Sequence, residues 1–138
     1  MELKVSTCFI AVDDHEKALA FYRDILGLEV RADVKFEQMR WVTLGSPCQP
    51  DVSIVLEPPA ADPNASPADR KALQELLAKG MMRGVIFATD DVDATFERIR
   101  AAGAEVVQEP IDQHYGVRDC AFRDPSGTML RFNQPRGT

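Results

Sequence analysis

The side chains best suited to acid–base chemistry in this chain are two histidines, His15 and His114. Free imidazole titrates near neutral pH, so either ring could act as a general base beside a substrate. His15 follows Asp14 at the predicted start of a helix, where a plain surface position is the simpler interpretation. His114 stands in a predicted loop, where it is either a weak candidate for a catalytic base at a cavity rim or a solvated side chain.

Nucleophilic and cofactor-dependent chemistry have no recognisable motif in the sequence. The three cysteines, Cys8, Cys48 and Cys120, are odd in number and show no C-x-x-C spacing, which predicts neither a disulfide framework nor a zinc site. Cys8 and Cys120 fall in strand-like runs and are interpreted as small buried residues. No nucleophile elbow, phosphate loop or dinucleotide fingerprint occurs, so we expect no cofactor.

The balance of acidic and basic residues indicates which kinds of partner the protein can bind. Acidic residues number 22 against 16 basic ones, for a net charge of −6. Nucleic-acid binding depends on clustered Lys and Arg, and no basic run occurs, so nucleic acid is not an expected partner. The N-terminus lacks a signal-peptide pattern and no apolar run reaches membrane-spanning length, which predicts a cytoplasmic protein without a membrane partner.

The sequence contains an internal repeat. Two apolar runs, each ending in an Asp pair, precede helical stretches that end at a glycine. Asp14 and Asp91 lie 77 residues apart, whereas Gly27 and Gly103 lie 76 apart, so one residue slips within the helix. Each copy therefore predicts a buried strand, an Asp that caps the next helix, and a left-handed glycine that ends it.

Each copy continues with three more strands, the last two of the second copy joined by the turn signature Asp124-Pro125-Ser126-Gly127. The predicted fold class is α+β, with two tandem βαβββ modules forming a curved mixed sheet around a cavity. Module one covers about residues 5–59 and module two about 82–135. The linker of about residues 60–80 is rich in proline and carries its own short helix, from Pro67 towards Gly80.

This ordered set resembles the vicinal oxygen chelate superfamily, which includes glyoxalase I, extradiol dioxygenases, fosfomycin-modifying enzymes and bleomycin-binding resistance proteins. The resemblance covers roughly residues 5–135 and is carried by Val12, Asp14, Ala18, Phe21, Tyr22, Leu26, Gly27, Asp91, Gly103 and Arg123-Asp124-Pro125-Ser126-Gly127. It implies two curved sheets that face one another across a cavity, a small-molecule ligand and a homodimer.

The resemblance also implies where a metal would be held, on the first and last strands of each module. Carried over to this chain, those positions are Thr7, Gly84, Val55 and Arg131. Metal enzymes of the superfamily need His, Gln or Glu there, and an arginine cannot lose its proton to bind a cation. We therefore expect no metal at these positions, although Glu57 with His114 and Asp112 remains an off-register alternative.

Arg131 then becomes the sharpest candidate for ligand binding. A guanidinium inside an apolar cavity either recognises a carboxylate, phosphate or carbonyl of the ligand, or pairs internally with Glu57 or another acid. Phe9, Trp41 and Tyr115 could stack on a flat ligand, with core packing as the alternative; polar neighbours suggest partial exposure of Trp41 and Tyr115.

Two functions follow from these expectations. The first is a binding protein that sequesters a drug or metabolite without metal catalysis. The alternative is a lyase, isomerase or dioxygenase with an altered or absent metal site, in which His114, Glu57 and Arg131 would act; a regulatory module with a vestigial cavity is a third possibility. The complete set of predicted ligand-binding residues is Thr7, Phe9, Trp41, Val55, Glu57, Gly84, His114, Tyr115 and Arg131.

Overall fold

The computed structural model describes residues 1–135, in which one order of elements occurs twice. The first set is β1 (Thr7–Ala11), α1 (His15–Leu19, continued by a π-helical turn, Ala20–Ile25), β2 (Glu29–Phe36), β3 (Met39–Gly45) and β4 (Ser53–Glu57). After the linker helix α2 (Pro67–Ala78), the second set is β5 (Arg83–Ala88), α3 (Val92–Ala101), β6 (Glu105–Asp112), β7 (Val117–Arg123) and β8 (Met129–Pro135). The chain divides into two compact units, Met1–Glu75 and a second that begins at Leu76.

Each module forms its own four-stranded mixed sheet. In the first, β1 pairs in parallel with β4, and β3 lies antiparallel between β4 and β2. The second sheet repeats this order as β5-β8-β7-β6, again with one parallel pair. The predicted α+β class and the two βαβββ modules are confirmed.

The strand registers match the two sheets residue by residue. In each sheet one row of paired residues crosses the parallel pair and continues onto the antiparallel strand beside it. Directly paired residues point their side chains to the same face of a sheet. The corresponding rows are Phe9–Val55–Thr43 and Ile86–Arg131–Ala121.

The predicted slip between the two helices is a π-helical turn. The N–H of Leu26 donates to the carbonyl of Phe21 at 3.0 Å, which closes a turn one residue longer than an α-helical turn. Helix α3 is α-helical throughout Val92–Ala101. The extra residue in module one accounts for the change of offset from 77 to 76.

The predicted helix caps are also confirmed. A side-chain oxygen of Asp14 accepts a 3.0 Å hydrogen bond from the N–H of Lys17, and Asp91 does the same for Ala94. These bonds satisfy N–H groups of the first turn that have no partner within the helix. The glycines that end the two helices have φ angles of 78° and 97°, as left-handed caps require.

One face of each sheet carries the buried core. In module two, the ring of Phe122 lies 5.3 Å from that of Phe96 on α3 and 6.0 Å from that of Phe132. In module one, Val42 and Leu56 are wholly buried. Side chains alternate along a strand, so the residues between these core positions form the opposite face. We call this opposite face the open face of each sheet.

Helix α2 spans Pro67–Ala78, as the linker pattern predicts. Ser66 and Asp69 form a reciprocal capping box, in which each side chain accepts a 3.0 Å bond from the other residue's N–H. The predicted apolar stripe is narrower than expected, since Leu77 is 2% exposed but Leu76 is 41% exposed. No helix within residues 1–135 has the length and apolar composition that a bilayer crossing requires.

The predicted turn between β7 and β8 is held by Asp124. One carboxylate oxygen accepts hydrogen bonds from the N–H groups of Ser126, Gly127 and Thr128, at 2.9, 3.0 and 3.0 Å. Gly127 has a φ of 112°, and a Cβ at this position would collide with the main-chain oxygen of Leu77. Glycine is therefore required here by both conformation and space.

We expect Gly127→Ala to lower the free energy of unfolding by about 3 kcal/mol, because it combines an unfavourable φ with a backbone clash. The matched control is Gly116→Ala, at a φ of 95° with nothing within 4 Å of the added Cβ. That control should lose only about 1 kcal/mol. Urea denaturation measures both, and equal losses would show that the Leu77 contact is unimportant.

Candidate ligand-binding site

Arg131 lies on the open face of the second sheet, with a side chain that is 29% exposed. Its Nη1 donates to Oε1 of Gln108 at 2.9 Å and to Oδ2 of Asp119 at 3.4 Å. The sequence left open an internal ion pair with Glu57 or another acid; such a pair is formed, and its acid is Asp119.

Asp119 is the centre of this polar cluster. Only 2% of the residue is exposed, and its carboxylate accepts four side-chain hydrogen bonds. Besides Arg131, the donors are the amides of Gln108 and Gln113, each at 2.9 Å, and the hydroxyl of Tyr115 at 3.3 Å. A buried carboxylate needs such partners, because losing water without them is strongly unfavourable. We call these five residues the Asp119 cluster.

The Asp119 carboxylate is held in its charged form. Burial by itself raises the pKa, but hydrogen bonds from Gln113 and Gln108 and the charge of Arg131 outweigh burial, so the pKa of Asp119 lies below its ordinary value. The arginine and the carboxylate therefore form an ion pair at neutral pH.

One edge of the Arg131 guanidinium remains available to donate hydrogen bonds to a ligand. Nη1 makes both contacts with the cluster, and Nε and Nη2 have no hydrogen-bond partner among residues 1–135. These two nitrogens lie on one edge of the planar group and can donate side by side to acceptor oxygens. The neighbouring residue in the row, Ile86, is 61% exposed and supplies apolar surface next to Arg131 on the open face.

The four positions carried over from metal enzymes do not fit a divalent metal. Thr7 offers an exposed hydroxyl and Val55 an alkyl group. Gly84 has no side chain and lies inside a register shift of β5. At the fourth position the guanidinium of Arg131, already paired with Asp119, would repel a cation.

The residues of the off-register alternative are divided between the two units, with Glu57 in the first and Asp112 and His114 in the second. Within residues 1–135, no three His, Cys, Asp or Glu side chains are grouped as a metal site requires. Asp112 pairs instead with Arg118 at 3.3 Å. His114 is exposed on the loop between β6 and β7, with its ring edge-on to that of Tyr115 at a centroid distance of 5.1 Å.

The three predicted aromatic residues have different surroundings. Phe9 is 61% exposed on the open face of the first sheet, so core packing was the wrong alternative for it. Tyr115 is also exposed, and its hydroxyl reaches the Asp119 cluster. Trp41 is half-buried on β3.

Trp41 also lines a groove of about 970 Å³ within the first unit, Met1–Glu75. The groove runs between the β2–β3 hairpin, the start of α1 and the linker, and its walls include Met39, Pro59 and Arg70. His15 lines it too and is half-buried, contrary to the surface position expected for it. Its Nε2 lies 3.1 Å from the carbonyl oxygen of Leu56, and because that oxygen only accepts, Nε2 carries the proton.

Glu57 ends β4 on the open face, paired across the parallel strands with Ala11. Burial raises the pKa of its carboxyl, and no favourable partner offsets this effect among the residues described. A carboxyl of this kind changes charge closer to neutral pH than an ordinary glutamate.

The buried cysteine is unsuited to nucleophilic chemistry. Cys120 is wholly buried on the core side of β7, as the sequence predicts, and burial raises the pKa of its thiol to about 12. The thiol therefore stays protonated at neutral pH. Cys8 is only half-buried, so the prediction of a buried residue held in part.

Sequence reasoning missed Asp119, Gln108 and Gln113. A signal for Asp119 was available, because the turn at Asp124 fixes the β7–β8 register and so places Asp119 on the same face as Arg131. The sequence contains no such signal for the two glutamines. Their contacts with Asp119 depend on bulges in β6 and on the fold of the loop that follows it.

Removing the charge of Asp119 should destabilise the protein in a pH-dependent way. We expect Asp119→Asn to lower the free energy of unfolding at pH 7 by about 2 kcal/mol. A folded-state pKa below the unfolded value of about 3.9 gives stability that is present above that pH and lost as pH falls through the folded pKa. The difference between wild type and variant should therefore shrink on acidification, as followed by urea denaturation from about pH 7 to pH 3. A difference that stays constant over that range would contradict an ionised Asp119.

Comparisons with known proteins agree with this architecture. The family model of the Glyoxalase/Bleomycin resistance protein/Dioxygenase superfamily matches residues 4–132. The crystal structure of UcmS2 is 34% identical with a TM-score of 0.86, over 96% of this chain and 98% of that one. TnmS3, an antibiotic binding protein from Streptomyces sp. CB03234, is 30% identical with a TM-score of 0.74, over 97% of both chains. The uncharacterized protein YurT of Bacillus subtilis (strain 168) is 27% identical over 96% of this chain and 99% of YurT. The resemblance drawn from the sequence is thus confirmed, and the chain belongs to the Glyoxalase/Bleomycin resistance protein/Dioxygenase superfamily.

Proposed function

We propose that this protein binds a small antibiotic-like molecule and sequesters it chemically unchanged. The observation that carries the proposal is the Asp119 cluster, which fixes Arg131 with one donor edge free at a position where metal-dependent relatives need a metal ligand. A fixed guanidinium edge recognises acceptor oxygens by hydrogen bonding and needs no metal for that task.

Exposed apolar surface beside polar donors supports the same function. Phe9 and Ile86 occupy corresponding places on the two open faces, and each is 61% exposed. Ligand sites for small molecules combine apolar walls with a few fixed polar groups. TnmS3 is described as an antibiotic binding protein, and its similarity to this chain favours a ligand of that broad kind.

The residues proposed to contact the ligand remain those predicted from the sequence, divided between the modules. Those in module one are Thr7, Phe9, Trp41, Val55 and Glu57, and those in module two are Gly84, His114, Tyr115 and Arg131. Asp119 is added as the residue that positions Arg131.

One observation favours an enzyme as the second candidate. Burial raises the pKa of Glu57, and a carboxyl that exchanges protons closer to neutral pH suits general acid–base catalysis. The reaction would be a lyase or isomerase step without a metal, with His114 and Arg131 as further candidates. Unlike sequestration, this function changes the covalent structure of the ligand.

Binding can be followed through Trp41, the single tryptophan of the chain. We expect bleomycin or a planar aromatic antibiotic such as doxorubicin to change its fluorescence and to raise the melting temperature, because a ligand that binds only the folded state stabilises it. Arg131→Gln should weaken binding about tenfold or more, since it removes charge-assisted hydrogen bonds. Isothermal titration calorimetry measures the affinities.

The matched control for Arg131→Gln is Arg100→Gln, which removes an exposed arginine paired with Glu97 on α3. This control should bind as wild type does. Mass spectrometry of the recovered ligand separates the two candidate functions. An unchanged mass supports sequestration, whereas turnover that is lost in Glu57→Gln establishes the enzyme, and no binding by any compound of the panel counts against both.

We also propose that the protein functions as a homodimer in the cytoplasm. Large apolar side chains are exposed on the open faces, Phe9, Val34, Phe36 and Ile86 among them, and a contact with a second copy of the chain would remove such surface from water. Light scattering coupled to size-exclusion chromatography should give twice the chain mass of 15.3 kDa. A mass of 15.3 kDa at all concentrations would contradict the dimer.

A further inference from the structure

We infer that the free edge of Arg131 recognises an uncharged carbonyl group, and that carboxylate and phosphate ligands are disfavoured there. This inference rests on the proposed binding function and names the chemical class of the group that the site takes. It follows from the contacts of the arginine within the Asp119 cluster.

The charge of Arg131 is already compensated. Oδ2 of Asp119 lies 3.4 Å from Nη1 of the arginine, and the carboxylate is almost wholly buried. Away from water, a charge at this distance interacts strongly, so the two groups present nearly zero net charge to a ligand. An anion arriving at the free edge would gain the attraction of the guanidinium and suffer the repulsion of Asp119.

The N–H donors on the free edge of Arg131 are not used by the Asp119 cluster. Nε and Nη2 keep their N–H donors because Nη1 alone contacts the cluster. A neutral carbonyl oxygen uses these donors at full strength and meets little repulsion from Asp119, since it bears only a partial charge. The ion pair thus acts as a fixed dipole with its positive end towards the ligand.

The surroundings of the edge also suit an uncharged group. Ile86, paired with Arg131 across the parallel strands, is exposed apolar surface on the open face. Apolar neighbours remove water from a ligand, and losing water disfavours a full charge far more than a dipole. Planar molecules that carry a ketone, amide or ester beside an apolar ring fit this description.

The experiment uses two probes of the same shape, 2-naphthamide and 2-naphthoate, titrated into the full-length protein at neutral pH. Affinities and the location of binding come from NMR shifts, including the Nε–H signal of Arg131. We expect the neutral amide to bind wild type about threefold tighter than the carboxylate. In Asp119→Asn, which removes the compensating charge, the ratio of affinities should move about tenfold in favour of the carboxylate.

The matched control is Asp112→Asn, which removes one negative charge from β6, where the carboxylate is 53% exposed and paired with Arg118. This control should leave the ratio unchanged. Tighter binding of 2-naphthoate to wild type, or an unchanged ratio in Asp119→Asn, would overturn the inference while leaving small-molecule binding intact. Absence of binding by both probes would overturn it together with the proposed function.

If Asp119→Asn fails to fold, salt dependence in the wild type gives the same information. Salt screens a net charge but hardly affects a compensated pair, so the affinity for 2-naphthoate should change less than about twofold between roughly 20 and 500 mM NaCl. A fall of about tenfold would reveal an uncompensated guanidinium and contradict the inference.

Discussion

Side chains on each strand alternate between the core and the open face of the sheet, and the location of every candidate residue on a strand depends on that alternation. On β7, Cys120 and Phe122 point towards the core, which leaves Asp119 and Ala121 on the open face. The small side chain of Ala121 then matters, because it lies in the row between Arg131 and Gln108. The hydrogen bond between those two long side chains passes over it, and so links strands that are not neighbours.

The two modules use one backbone plan for different chemistry. Position 119 of module two corresponds to position 41 of module one, since each lies two residues before the residue of its strand that belongs to the row, Ala121 or Thr43. One place carries a buried carboxylate and the other a tryptophan. A buried ion pair contributes little net stability compared with apolar residues of similar size, so its presence on one module points to a role in recognition.

The fold could be predicted from the sequence because the sequence patterns that specify it are local. Helix caps, glycine conformations and the turn at Asp124 each depend on a few adjacent residues, and the repeat provided every signal twice. Arg131 was identified for the same reason, through its place in the repeat. Its partner was not, because Asp119 and Gln108 reach Arg131 only through strand register and the bulges of β6. The half-buried position of His15 was likewise missed, since it depends on the distant carbonyl of Leu56.

The π-helical turn of module one limits how the halves of this protein can be recombined. One additional residue rotates everything that follows it by about 100° around a helix axis. A chimera that exchanged only the second half of α1 for that of α3 would therefore lose the extra residue and change the direction in which the chain leaves the helix towards β2. Exchange of the whole stretch from the capping aspartate (Asp14 or Asp91) to the glycine that ends the helix (Gly27 or Gly103) would keep each helix with its own number of residues. Protein engineers who build hybrids from these duplicated halves should place their junctions at those two residues.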